Sequence, residues 1–208
     1  GVLVDVSKSY RIAIKKTSEY FTKKEIDFDE IQNYKNKGGL NNDWDLAEAI
    51  IRNKGVIADE KLIIKKFQSY YNKLKNNEKW LLDKNILKKL SRQYNLVILT
   101  GRPKNEAYYV LKKNKVANYF EAVITMENIS KQKPNPEGLI KILNQFPNSE
   151  AFYYGDSIDD MKAAVSANIN PVGVLPPQDK SPILLSLLVK NGAKFVLTDI
   201  NNIIGALK

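Results

Sequence analysis

Ala151-Phe152-Tyr153-Tyr154-Gly155-Asp156-Ser157-Ile158-Asp159-Asp160 is the stretch on which the fold turns. A short apolar run ends on a glycine, and carboxylates follow at once. The apolar part reads as a buried parallel strand, with Gly155 as the residue that lets the backbone turn tightly. Ile158 to Ala167 then has a helical look. Acids at the carboxyl end of such a strand lie where open α/β sheets hold their ligands. Oxygen ligands with no histidine suit a hard cation such as magnesium. Asp156 reads equally well as a helix N-cap, so a metal ligand and a cap stand side by side here.

Outward from this stretch, strands and helices alternate. Asn95–Thr100, Glu121–Thr125, Ala151–Tyr154, Pro171–Leu175 and Lys194–Thr198 read as strands. Pro103–Lys113, Pro136–Phe146, Ile158–Ala167, Ser181–Lys190 and Asn201–Leu207 read as the helices between and after them. Such alternation predicts an α/β fold with a doubly wound parallel sheet. The first part of the chain has a different rhythm. Tyr10–Phe21, Asp27–Tyr34, Trp44–Asn53, Asp59–Lys75 and Asp83–Tyr94 show helical spacing, and Lys35–Asp43 reads as a loop from its Gly and Asn content. A helical block therefore precedes the α/β block, with the join near Trp80–Asn85.

Composition narrows the chemistry. The 208 residues include no cysteine and no histidine. Disulfides, thiolate metal sites, imidazole zinc ligands and a Ser-His-Asp triad are all excluded. Acid–base work must run on carboxylates, lysine, tyrosine or metal-bound water. No apolar run approaches the length of a membrane span, and a cytoplasmic enzyme is expected. The formal net charge is +10, and residues 6–90 hold 19 Lys or Arg against 12 Asp or Glu. Most of these lysines fall on polar helix faces. With no Arg-rich arm and no aromatic–basic ribonucleoprotein pattern, nucleic acid is not expected as a partner; attraction of small anionic substrates is.

Two further strand ends carry suitable groups. Thr100 and the N–H of Gly101, in Leu99-Thr100-Gly101-Arg102, could hydrogen-bond a phosphate, or Thr100 could cap the next helix. Lys133 stands in Lys133-Pro134-Asn135-Pro136, where the prolines stiffen the approach as if to hold the lysine in one place. It could neutralise a phosphoryl group, or be one surface lysine among many.

Thr100-Gly101-Arg102, Lys133-Pro134 and Gly155-Asp156 with Asp160 resemble, in order and at strand ends, motifs two to four of the haloacid dehalogenase-like hydrolases. The likeness extends to the phosphoglycolate phosphatase and beta-phosphoglucomutase-like branch, whose helical cap is inserted after the first strand. It implies a core of residues 1–6 and 84–208 and a helical cap of residues 7–83. That family's first motif is a strand ending Asp-x-Asp-Gly, and Gly1-Val2-Leu3-Val4-Asp5 looks like the piece just after the two aspartates. The resemblance thus places the first strand, the nucleophile and the acid–base aspartate before residue 1. The rival reading makes Val2–Asp5 the first strand and Asp5 the nucleophile, with Ser7 where the acid should be. Without a central first strand the sheet would have a gap and unpaired edges in its middle.

By the same resemblance the chain is a magnesium-dependent phosphatase acting on a small phosphorylated metabolite through an aspartyl-phosphate. Thr100 and Gly101 would hold phosphoryl oxygens, Lys133 would balance charge, and Asp156 would ligate Mg2+. Asp160 would support the metal shell or orient Lys133, and Asp159 would be solvated or supporting. In the cap, Gly39, Asn41, Asn42 and Trp44 of the Lys35–Asp45 stretch could read the substrate, or that stretch could be a plain helix–helix connection, and Arg11 could face the substrate's phosphate. A monomer or homodimer is expected. A metal-free haloacid dehalogenase is disfavoured by Gly155-Asp156. A phosphomutase on the same motifs, or a non-catalytic binding module, are the alternatives. The purified protein is expected to have an intact mass well above 23.7 kDa, with Asp-x-Asp read ahead of Gly1 by N-terminal sequencing. A mass of 23.7 kDa with Gly1 at the terminus would sink the two-aspartate mechanism.

Overall fold

A computed structural model describes residues 1–206. The chain forms two compact units, one of Gly1–Leu3 with Trp80 onward, the other of Val4–Lys79. Among the described residues no helix is long and apolar enough to cross a membrane.

The second unit is helical. After β1 (Val4–Asp5) come α1 (Tyr10–Thr22), α2 (Phe28–Lys37), α3 (Asp43–Asn53) and α4 (Glu60–Leu74), then β2 (Lys79–Trp80), which pairs with β1. Three helices start on side-chain caps that the sequence supplies. Asp27 accepts from Glu30 N, Asn42 from Trp44 N and Asp59 from Leu62 N, satisfying amides that the first turn leaves orphaned. The apolar stripes of α1, α3 and α4 close on one core with Ile14, Ile31, Leu46, Ile50, Ile63, Phe67 and Tyr71 fully buried. Tyr10 stacks into it, 4.5 Å from the Tyr71 ring and 6.0 Å from Phe67.

The loop predicted at Lys35–Asp43 is shorter than its composition suggests. Helix α2 runs on to Lys37, because Lys35 and Lys37 suit the negative end of a helix and Lys35 also pairs with Asp43 at 2.8 Å. Gly38 and Gly39 then turn the chain with φ of 73° and 82°, values that favour glycine.

The first unit continues with α5 (Lys84–Leu90), β3 (Val97–Leu99), α6 (Lys104–Lys113), β4 (Ala122–Ile124), α7 (Glu137–Leu143) and β5 (Phe152–Gly155). There follow α8 (Ile158–Ser166), β6 (Asn170–Val174), α9 (Pro182–Lys190), β7 (Phe195–Leu197) and α10 (Ile203–Ala206). Leu207, the last residue of the final predicted helix, lies outside the described residues. Helix α5 stops earlier than predicted, because the chain turns at Ser91–Tyr94 with Gln93 N and Tyr94 N both bonded to Leu90 O.

All these strand pairings are parallel, but they form two sheets. Strand β3 pairs with β4 in the register Val97↔Ala122, and β5–β6–β7 form the other ladder, with Tyr154↔Val172 and Gly173↔Val196. No ladder joins β3 to β5 among the described residues. The two strands nonetheless contribute to one apolar cluster, in which Leu99 and Tyr153 pack with Leu139 of α7, Ala163 and Ala164 of α8, and Ala167 just past its end. Phe67→Ala is expected to destabilise the helical unit by about 3–5 kcal/mol, the usual range for deleting a buried aromatic ring; urea denaturation followed by tyrosine fluorescence reads it, and a loss under 1 kcal/mol would contradict the core described.

Candidate functional site

The site is built where β5 ends. Asp156 follows the strand, and Ser157 is the N-cap of α8, its Oγ accepting from Asp160 N at 3.1 Å. In return, Asp160 Oδ2 accepts from Ser157 N at 3.1 Å, Ser157 Oγ at 2.8 Å and Asp156 N at 3.1 Å. This is a reciprocal cap, which the spacing Ser157-x-x-Asp160 foreshadows. Gly155 is required for space rather than for turning. A Cβ on it would lie 2.2 Å from Asp160 Cβ and 2.7 Å from its Cγ, so the aspartate side chain folds flat over the glycine.

The other oxygen of Asp160 faces Lys133. Lys133 Nζ lies 2.5 Å from Asp160 Oδ1 and 3.0 Å from the Tyr153 hydroxyl, which itself donates to Asp160 Oδ1 at 3.0 Å. Side-chain exposure is 9% for Lys133 and 5% for Asp160. Burial would drive both to their neutral forms, but their mutual attraction outweighs it. Asp160 is therefore held below the ordinary carboxylate range and Lys133 above the ordinary ammonium range. Tyr153 is pushed up by burial and by the Asp160 charge, so its hydroxyl keeps its proton.

The sequence-predicted residues separate on this geometry. Lys133, Asp156 and Asp160 are brought together. Both Asp160 oxygens accept from donors, Oδ1 from Lys133 and Tyr153 and Oδ2 from Ser157 and the Asp156 amide. Asp159 is buried, not solvated. Thr100 stands at the end of β3, where its N–H extends the ladder to Ile124 O at 2.9 Å and its Oγ1 accepts from Arg102 N at 3.2 Å. It does not cap α6, whose first turn begins after Pro103. Gly101 follows Thr100 in the same turn.

The expected specificity residues lie in the helical unit. Gly39, Asn41 and Asn42 form the α2–α3 connection; Asn42 caps α3, and Trp44 packs against that unit's core. Arg11 is buried, its guanidinium donating to Gln32 Oε1 at 2.5 Å and Phe28 O at 3.2 Å. It ties α1 to α2, a use that its place in the first turn of α1 did not announce. Tyr153 and Ser157 are the site residues that sequence reading missed.

Asp156 is the candidate cation ligand, with a quarter of its side chain exposed and the Gly1 backbone nitrogen 3.0 Å from its Oδ2. Among the described residues no three carboxylates converge on one point. The donor chemistry fits a magnesium ion that takes one or two carboxylates and keeps several waters.

Because Asp160 is depressed in the folded protein, its contribution to stability is complete above its unfolded pKa and is lost as pH falls through the folded value. Stability measured by urea titration is expected to fall with acid in that window. Asp160→Asn should cost about 3–5 kcal/mol near neutral pH by leaving the Lys133 charge unpaired, and should flatten this acid limb. An equally steep limb in the variant would assign the acid sensitivity elsewhere.

A family model described as haloacid dehalogenase-like hydrolase matches residues 1–174. An imidazoleglycerol-phosphate dehydratase of Phytophthora nicotianae is 28% identical over 220 residues, covering 95% of this chain; the chain spans only 48% of that relative's length. A phosphoglycolate phosphatase of Colwellia psychrerythraea is 26% identical over 186 residues, covering 84% of this chain and 80% of the relative. Among solved structures, a hydrolase from Pseudomonas syringae superposes with a TM-score of 0.78 at 19% identity, over 99% of this chain and 93% of that one, a likeness of fold. With the family model spanning most of its length, the chain belongs to the haloacid dehalogenase-like hydrolases.

Proposed function

We propose that this chain belongs to a magnesium-dependent phosphatase that hydrolyses a small phosphorylated metabolite. The observation that carries the reading is the buried Lys133–Asp160 pair at the carboxyl end of β5, beside the part-exposed Asp156 carboxylate. A lysine so held presents a fixed positive charge to an anionic substrate without needing to be desolvated during the reaction. Relatives that bear phosphatase names, the Colwellia protein among them, support the choice of phosphate esters.

In this reading Thr100 Oγ1 and the Gly101 amide donate to phosphoryl oxygens, and Lys133 balances the charge shared by phosphate and nucleophile. Asp156 holds the cation, which when bound supplies positive charge against the repulsion between a carboxylate and a phosphate. The nucleophile and the acid–base group are two aspartates of an extended segment ahead of Gly1. That segment would pair between β3 and β5, which no ladder joins among the described residues. Its position is supported by Gly1 itself, whose nitrogen lies against Asp156 at the end of β5. The first aspartate attacks phosphorus and forms an acyl phosphate; the second protonates the departing oxygen and then takes a proton from the water that hydrolyses the intermediate.

The full-length protein is expected to release phosphate from small phosphate monoesters in magnesium, and to stop when EDTA is added. Asp156→Ala should lower turnover by about a hundredfold or more while the protein stays folded, on the scale of losing one electrostatic group from such a site. Turnover that survives both EDTA and Asp156→Ala would refute the metal-dependent reading.

A further inference from the structure

Tyr153 does something in this site that its place in the core does not require. Its ring packs among Leu139, Ala163, Ala164 and Ala167, where phenylalanine would fill the same space. A hydroxyl carried into such a cluster costs free energy unless it is paired. At Tyr153 it is paired twice, accepting from Lys133 Nζ and donating to Asp160 Oδ1, each at 3.0 Å. The adjacent Tyr154 makes the contrast, since its hydroxyl is buried with no hydrogen-bond partner.

Counting donors shows what the Tyr153 hydroxyl adds. An ammonium has three N–H groups. Asp160 alone would fix one and leave Lys133 free to swing about that single bond. With Tyr153 accepting a second, the Nζ position and its rotation are both set, and one N–H remains. The hydroxyl proton given to Asp160 Oδ1 also draws off part of that carboxylate's charge, so less of the lysine's charge is spent inward.

We propose that Tyr153 is a positioning residue for the proposed phosphatase reaction, locking Lys133 so that its remaining N–H is directed at the phosphoryl group. The role rests on the phosphatase reading for its chemistry and on the Tyr153–Lys133–Asp160 triangle for its geometry.

The test uses the full-length protein and the variants Tyr153→Phe, Tyr154→Phe, Lys133→Gln and Tyr153→Phe with Lys133→Gln. On a phosphate monoester with magnesium, Tyr153→Phe is expected to lower kcat about tenfold, the scale of one hydrogen bond to a charged group. KM should change by less than about threefold, and Tyr154→Phe should behave as wild type. In the Lys133→Gln background the Tyr153 change should have no further effect, because it acts only through the lysine. An equal drop in both backgrounds, or a Tyr153→Phe kcat within twofold of wild type, overturns the proposal. A second readout needs no turnover: the Lys133 ammonium, buried and bonded twice, should give a slowly exchanging 1H–15N signal that Tyr153→Phe broadens away. Its persistence in Tyr153→Phe overturns the positioning role. Absence of phosphatase activity in the wild type would refute the phosphatase reading, while loss of the ammonium signal in Tyr153→Phe would still sustain the lock on Lys133.

Discussion

A buried ion pair sets the terms for this end of the molecule. Lys133 and Asp160 meet at 2.5 Å with almost no solvent on either. Two charges removed from water are costly, and only excellent geometry with further hydrogen bonds offsets the loss. The surrounding chain supplies that. Asp160 takes donors from Lys133, Tyr153, Ser157 and the amides of Asp156 and Ser157. To be reached by both amides the carboxylate must lie over Gly155, which is why no side chain fits there. The start of α8, the end of β5 and the lysine loop are thus fixed by one carboxylate, and Asp156 is aimed by the same turn.

The second constraint is the break between the sheets. Unpaired parallel strand edges inside an α/β layer leave backbone amides and carbonyls without partners, which buried structure seldom tolerates. Here Leu99 of β3 and Tyr153 of β5 share one apolar cluster with α7 and α8. An additional extended segment between them would satisfy both edges and continue the layer as a single sheet. The proposed upstream strand answers this need in the backbone, independently of the two aspartates it is expected to carry.

What could be read from the sequence follows from how local each cause is. The strands and helices of the α/β unit were legible because apolar runs, glycines and caps act within a few residues. In the helical unit Asp27, Asn42 and Asp59 likewise cap helices through contacts two or three residues away. Lys133, Asp156 and Asp160 were legible as a set through their resemblance to known motifs. Tyr153 was not, because its partner lysine is 20 residues distant and an aromatic residue in a buried strand reads as core. The burial of Arg11 was not legible for a related reason: its partners Phe28 and Gln32 lie on the next helix, and no local pattern marks a buried arginine. The reach of α2 to Lys37 was hidden by a Lys- and Asn-rich composition that also suits a loop.

The absence of histidine gives the pair its further significance. A site without imidazole has no side chain whose ordinary pKa lies near neutrality. The pair moves its own members away from that region in opposite directions, the carboxylate down and the ammonium up, with the Tyr153 hydroxyl pushed up as well. All three therefore keep fixed protonation states across the range in which a cell operates. The charge that Lys133 offers an anionic ligand does not change with modest shifts of pH. A pH dependence of turnover near neutrality would then belong to the substrate's phosphate, whose second ionisation lies near pH 6, or to groups outside the triangle. The burial that makes the pair expensive is also what makes its charge constant.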